Sequence, residues 1–319
     1  MKAAVVSSFD APPTYGEFPA PELREGETLV TVKAAALHQI VRSVAKGTHY
    51  SSTGVLPFVP GVDGAGVLAD GQRVYFGAAR PPYGTMAEQT IANSMIRIPL
   101  PDGIDDVTAA GIANPAMSSW VALTARAKFQ AGESVLVLGA TGASGLMAVQ
   151  IAKRRGAGRV VAAGRNRAAL EEASRLGADA TVVLDGERDA VVAALREQLA
   201  AGVDVVLDYV WGSPAEMFFE AMSTKGLHAS SPRVRYVQIG NMADATIALP
   251  AAVLRSTGLE IVGSGFGSAS FAQIAEALGA FFAEAAREPF SFATKAAPLR
   301  EVEALWNAPD EGARLVFHP

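Results

Sequence analysis

Between residues 134 and 145 the chain reads Ser134-Val135-Leu136-Val137-Leu138, then Gly139-Ala140-Thr141-Gly142-Ala143-Ser144-Gly145. An apolar run of strand length that meets this glycine cluster must turn sharply, and the stretch after it, Gly145–Arg155, has helical periodicity. A strand that turns on glycine into a helix presents backbone N–H groups at the helix N-terminus, where they and the helix dipole bind pyrophosphate. Lacking a side chain, Gly142 would let phosphates approach the backbone, and Gly145 would let the helix pack close to the sheet. Thr141, Ala143 and Ser144 complete the expected cradle. Counted from Ala140 the pattern is Ala-x-Gly-x-x-Gly, with alanine in place of the first glycine of the usual dinucleotide fingerprint. The following helix closes on Lys153-Arg154-Arg155 before Gly156, with cations at its negative end and a glycine stop. The next strand ends in Ala163-Gly164-Arg165-Asn166-Arg167, and no Asp or Glu occurs between Gly145 and Glu171. An acid at that turn would bond the ribose hydroxyls of NAD, whereas arginine pairs in a planar fork with a 2′-phosphate. Gly164, Arg165 and Asn166 therefore point to NADPH. The alternative is that Arg165 and Arg167 are solvated charges at a helix start.

The elements around this turn follow from periodicity. Strand–helix alternation predicts strands at 134–138, 159–163, 181–184, 203–207, 234–239 and 259–262, with helices at 145–155, 167–176, 187–199 and 214–222. Apolar strands joined by such helices describe βαβ units and a parallel sheet. Before it, short strands at 2–6, 28–37, 62–68, 73–76, 86–92 and 95–98 alternate with turns such as Ala69-Asp70-Gly71, which predicts a small barrel-like β unit. An Ala-rich helical stretch at 105–127, interrupted at Asn114-Pro115, joins the two. A long helix at 271–287 and a short strand at 314–317 close the chain. With 319 residues, half of them hydrophobic and 18% charged, the chain is long enough for two packed domains. Its formal charge of −5 offers no basic surplus for a nucleic-acid backbone. Zero cysteines exclude thiolate zinc sites, disulfides and cysteine nucleophiles. Glu276 and Glu284, with Gly/Ser interruptions, exclude a membrane span at 261–286. The opening MKAAVVSSFD breaks its apolar run too soon for a signal peptide, so a cytoplasmic protein is expected.

In this order the motifs resemble the zinc-independent medium-chain dehydrogenase/reductase superfamily, on its quinone oxidoreductase side. The resemblance rests on Pro60-Gly61-Val62-Asp63-Gly64-Ala65-Gly66-Val67, the helix around Ser118-Ser119-Trp120-Val121-Ala122-Leu123, and the glycine turn. It continues through Asp204-Val205-Val206-Leu207-Asp208, Val237-Gln238-Ile239-Gly240-Asn241 and Leu259-Glu260-Ile261-Val262-Gly263-Ser264. It implies an α/β fold in which a Rossmann-type parallel-sheet NADP-binding domain (116–255) joins a GroES-like β-barrel catalytic domain (1–115 and 256–319). It also implies NADPH in the cleft, and frequent homodimers through sheet edges. Ser118 and the backbone frame Gly240-Asn241 and Gly263-Ser264 would hold the nicotinamide end, and Arg314 would reach the phosphates. The zinc branch of this superfamily carries Gly-His-Glu where this chain reads Gly61-Val62-Asp63, and the cysteine-rich lobe is missing, so no metal site is expected.

The segment Ala36-Leu37-His38-Gln39-Ile40-Val41-Arg42-Ser43 departs from the resemblance. Quinone oxidoreductases typically carry Asn, then Asp, then often Tyr there; aligned without gaps, His38, Val41 and Ser43 stand in those places. Gly47-Thr48-His49-Tyr50 is similar to the family's Gly-x-Tyr with one residue inserted. His38, Tyr50 and Ser43 are the candidate hydrogen-bond or proton donors to a small electrophilic substrate. Against those roles, His38 as a cap or ribose contact and Tyr50 as a surface residue stand as alternatives. Tyr75, Phe76, Tyr83 and Trp211 would wall a pocket or fill a core, and His228 and His318 would lie on the surface. No Gly-x-Ser-x-Gly elbow is present. The expectation is hydride transfer from NADPH to a quinone or a conjugated C=C bond. A zinc-free ketone/alcohol oxidoreductase and a non-catalytic NADPH-binding or redox-sensing protein are the other readings.

Overall fold

The computed structural model describes residues 1–223, 231–309 and 312–319; His228 lies outside the described residues. In chain order, β1 (Lys2–Val5), β2 (Thr14–Glu17) and β3 (Glu27–Ala36) lead to the short helix α1 (Gln39–Ala45). Then come β4 (Asp63–Val67), β5 (Arg73–Gly77), β6 (Gln89–Asn93) and β7 (Arg97–Pro99). Helix α2 (Asp106–Val121) ends in a π turn, Ala122–Arg126. The expected interruption at Asn114-Pro115 does not occur. Pro115 removes one helical hydrogen bond, but Ala109, Ala110, Ile112, Ala113, Ala116 and Trp120 are all buried along α2, and this packing keeps the helix continuous.

The alternating part follows as β8 (Ser134–Leu138), α3 (Ala143–Arg154), β9 (Arg159–Gly164), α4 (Arg167–Arg175), β10 (Ala180–Val183) and α5 (Arg188–Ala200). It continues with β11 (Val205–Asp208), α6 (Gly212–Met222), β12 (Arg233–Gln238), α7 (Ala251–Ser256) and β13 (Gly258–Gly263). The chain closes with α8 (Phe271–Arg287), β14 (Thr294–Pro298), α9 (Val302–Leu305) and β15 (Arg314–His318).

Two compact units result: Met1–Asn114 with Ile274–Pro319, and Pro115–Gln273. In the second unit the sheet order is β10-β9-β8-β11-β12-β13, every pair parallel. Numbered from β8 this is the 3-2-1-4-5-6 order of a Rossmann sheet, whose switch point lies between β8 and β11. β13 pairs with β12 and so belongs to the sheet of the second unit. Val135, Leu136, Val137 and Leu138 have no exposed surface, as a strand covered by helices on both faces requires. The first unit holds a seven-stranded, mainly antiparallel sheet in the order β14-β15-β3-β4-β5-β7, with β6 also pairing β3, and a separate β1-β2 hairpin. Its core gathers Val30, Val32, Val74, Phe76, Met86 and Phe317. Among the described residues no helix is long and apolar enough to cross a membrane.

Candidate functional site

The glycine turn sits at the carboxyl end of β8, as the sequence requires. Gly139 has φ +87°, and its N–H and that of Ala140 both bond the Ala163 carbonyl at 2.9 and 3.0 Å, which ties the turn to the end of β9. A Cβ on Gly145 would overlap the Gly139 carbonyl and lie 2.5 Å from the Ala140 Cα, so glycine there is a condition of folding. Gly142 is different. It is the exposed N-cap of α3 with an ordinary φ of −90°, and a Cβ added there would meet only the Gly139 carbonyl, at 3.8 Å. No packing constraint inside the protein asks for glycine at 142, whereas a phosphate close to the helix N-terminus does.

Gly164 is buried, and a Cβ there would run into the Thr141 side chain, so the end of β9 lies directly against the turn. Arg165, Asn166 and Arg167 follow as exposed residues. The Asn166 side chain caps α4 by accepting from the Ala169 N–H at 3.1 Å, which assigns its oxygen to the helix. Arg165 and Arg167 form no ion pair among the described residues, so both cations remain available beside the turn.

On the far side of the switch point, the exit from β11 is fixed by a buried carboxylate. Asp208 accepts hydrogen bonds from the N–H groups of Val210 (2.8 Å) and Trp211 (3.0 Å) and from the Tyr236 hydroxyl (2.7 Å). Burial holds its carboxyl above the usual aspartate range despite those donors. Trp211 takes φ +55°, ψ −155°, a conformation strongly disfavoured for a residue with a side chain, and its ring packs 6.4 Å from Phe219 and 6.2 Å from Tyr236. A Cβ on Gly139 would meet Val210 at 2.8 Å, and one on Gly240 would meet the Tyr209 carbonyl at 2.6 Å. The ends of β8, β11 and β12 are therefore in backbone contact. Tyr209 is buried, which pushes its phenol up to about 12, and its hydroxyl lies 3.2 Å from Ser118 Oγ. Asn241 and Gly263 are exposed, Ser264 is half-buried, and the Ser264 N–H bonds the Gln238 carbonyl at 2.8 Å. The structure thus gathers Ser118, Thr141, Gly142, Ala143, Ser144, Gly164, Arg165, Asn166, Gly240, Asn241, Gly263 and Ser264 around the carboxyl edge of one sheet.

Arg314 is not among them. It is 7% exposed within the first unit, where it donates to the Leu37 carbonyl at 3.0 Å. It serves the β15–β3 join rather than presenting a free guanidinium.

The three candidate donors of the first unit also separate. His38 is the N-cap of α1 and 2% exposed, with Nε2 3.1 Å from Asp63 Oδ1. Its other ring nitrogen, Nδ1, is buried and has no partner among the described residues. The ring is buried, and one of its two nitrogens is taken by Asp63. Tyr75 adds its phenol to the same buried carboxylate, and burial with the Asp63 charge drives that phenol well above its ordinary range. Ser43 lies on α1, and its carbonyl accepts from the N–H groups of Thr48 (3.0 Å) and His49 (3.3 Å), which ties the following loop to the helix. Tyr50 in that loop is 72% exposed and stacked on His49 with ring centroids 4.2 Å apart. Sequence reasoning passed over Asp63 as a partner of His38, Asp208 as the anchor of the β11 exit, and Arg126. Strand register or tertiary packing brings His38 to Asp63, Tyr236 to Asp208, and Arg126 to the Gly263 and Ser268 carbonyls.

The chain has no cysteine, the one imidazole near Gly61-Val62-Asp63 is bound to Asp63, and no group of three metal-ligating side chains occurs among the described residues.

The chain is similar to several known proteins. Residues 143–283 match the family described as zinc-binding dehydrogenase. The chain is 29% identical, over the full length of both, to a protein of Emericella nidulans named as a probable NADPH-dependent quinone reductase. It is 30% identical to the NADPH-dependent alkenal/one oxidoreductase of Arabidopsis thaliana, over 66% of this chain and 57% of that protein. The crystal structure of the quinone oxidoreductase from Thermus thermophilus, also solved with NADPH, superposes over the full length of both chains with a TM-score of 0.82 at 28% identity.

Proposed function

This chain belongs to the medium-chain dehydrogenase/reductase superfamily, on its quinone oxidoreductase side, and from that membership we propose an NADPH-dependent reductase of quinones or conjugated C=C bonds that works without zinc, in the cytoplasm. The observation that carries the reading is the pairing of an open Gly142 at the N-terminus of α3 with the uncommitted Arg165 at the end of the neighbouring strand. The alkenal/one and quinone activities of the relatives set the substrate class. When bound, NADPH supplies the hydride. The protein supplies binding, orientation and charge stabilisation.

The division of labour follows from the residues. The second unit, the NADP-binding domain, holds pyrophosphate on the N–H groups of the 139–145 turn and the 2′-phosphate on Arg165, with Thr141 and Ser144 as hydroxyl donors. Ser118, Gly240-Asn241 and Gly263-Ser264 orient the nicotinamide end. The first unit, the GroES-like catalytic domain, offers the Tyr50 phenol and the Ser43 hydroxyl as donors to the oxyanion that develops on the substrate. His38 acts behind them, held by Asp63 at the start of the helix that carries Ser43. A conjugated acceptor suits a metal-free site, because its charge spreads onto an oxygen that hydrogen-bond donors can hold. Alcohol oxidation would instead need an alkoxide formed without a Lewis acid.

The test is NADPH oxidation against quinones, enals and simple ketones, run with chelator-washed protein and repeated with Tyr50→Phe and Ser43→Ala. Turnover of quinones or enals is expected, with loss of one true donor lowering it by about 10²–10³-fold. Turnover of ketones alone, loss of activity on chelation, or NADPH binding without turnover on any acceptor would each overturn the reading.

A further inference from the structure

Where α2 ends, the chain adopts a π turn for which its sequence gives no reason. Ala122-Leu123-Thr124-Ala125-Arg126 consists mostly of good helix formers, yet the Ala127 N–H bonds the Ala122 carbonyl at 2.7 Å and the Phe129 N–H bonds the Leu123 carbonyl at 2.8 Å, in place of the ordinary ladder. Tertiary contacts select it. The extra residue resets the register of the chain beyond it. In that register Arg126 Nε donates to the Gly263 carbonyl at 2.7 Å, and its Nη1 donates to the Ser268 carbonyl at 2.9 Å. Arg235, buried on β12, holds the same segment from the sheet by donating to the Ala127 carbonyl at 2.7 Å.

The loop that Arg126 spans is rich in glycine. It reads Gly263-Ser264-Gly265-Phe266-Gly267-Ser268, alternating glycine with other residues. Inside it the Gly265 N–H bonds Ser268 Oγ at 2.7 Å, and the Ser268 N–H bonds the Gly265 carbonyl at 3.1 Å. One guanidinium bridges both ends of this turn at the carboxyl end of β13. In a parallel sheet the ligand lies outside the carboxyl ends of the strands, and the β8–β9 half already presents the phosphate-binding turn and Arg165. The β12–β13 half is left for the other end of the dinucleotide.

We infer that Arg126 is a positioning residue that fixes the 263–268 loop for the nicotinamide half of the cofactor, an inference that rests on the NADPH-dependent reading above. It acts through backbone carbonyls, so its effect falls on orientation rather than on the adenosine half.

Arg126→Ala, Arg126→Lys and Ser268→Ala would each be titrated with NADPH and with adenosine 2′,5′-bisphosphate, which lacks the nicotinamide, and assayed for kcat. In Arg126→Ala, kcat is expected to fall on the order of 10–100-fold through misplacement of the reacting ring, NADPH to bind more weakly, and adenosine 2′,5′-bisphosphate to bind as in the wild type. Arg126→Lys should recover part of the loss. Ser268→Ala, which keeps both carbonyls and the backbone turn and loses only the Oγ contacts to Gly265, should move in the same direction by less. Should Arg126→Ala not fold, Arg126→Lys and Ser268→Ala decide. Wild-type kcat and NADPH affinity in the variants that fold, or equal weakening of both ligands, would overturn the inference. A wild type that binds neither ligand would overturn the NADPH reading itself.

Discussion

Arg165 is a cation with no ion pair among the described residues, at the carboxyl end of β9, one strand from the glycine turn. Its guanidinium fork matches a phosphate, and a charge-assisted contact of this kind sets cofactor choice. Arg165→Ala should weaken NADPH by about 10–100-fold while leaving NADH unchanged, as read from cofactor fluorescence titrations. Equal loss for the two cofactors would remove the assignment. The place of this residue was legible in the sequence because it depends only on chain order: a strand followed by a turn. His38 was not legible in the same way. Its partner Asp63 lies on another strand, and the two meet through the pairing of β3 with β4. A histidine at the end of an apolar strand carries no sign of a buried carboxylate partner until that register is known. For Asp208 two of the three donors come from its own turn, and only the third, the Tyr236 hydroxyl, comes from another strand, β12.

At the scale of elements, the glycine turn separates two demands that a fingerprint merges. Gly145 is required by close approach of α3 to the Gly139 carbonyl, whereas Gly142 has room for a methyl group and an ordinary backbone conformation. Gly145→Ala should therefore destabilise the fold by ~1–3 kcal/mol, an overpacking cost visible as a lowered Tm. Gly142→Ala should cost at most ~1 kcal/mol, the difference between glycine and alanine at an N-cap, and instead weaken NADPH. A Gly142→Ala variant with unchanged NADPH affinity would show that phosphate does not approach there. The strands and helices of the parallel sheet were readable because each carries its own periodicity. The elements that were missed carry little: β2 is mostly exposed, β14 ends in proline and alternates poorly, and α7 is a short helix begun at Pro250. The helix through Pro115 was misjudged because local preference was overridden by burial, and the π turn at Ala122–Arg126 has no local signature at all.

For the whole molecule, the open question is how the parallel sheet ends. β13 pairs only with β12, so its outer side presents ladder groups without a partner strand among the described residues. The one charge in mid-strand, Glu260, is already bound to Arg233 on the adjacent strand at 2.7 Å, which removes the usual device for blunting an edge. Helix α7, which packs on β13, exposes Leu254 at 49%. An edge of this kind is self-complementary under a two-fold axis, since β13 of one copy can add antiparallel to β13 of another. The proposed assembly is therefore a homodimer through that edge. Leu254→Glu would place charge beside the join on both copies at once. The wild type should sediment as a dimer at micromolar concentration, and Leu254→Glu should shift the population toward monomer with an unchanged circular dichroism spectrum. A wild type that sediments as a monomer, or a variant that remains fully dimeric, would move the interface away from β13 or remove it.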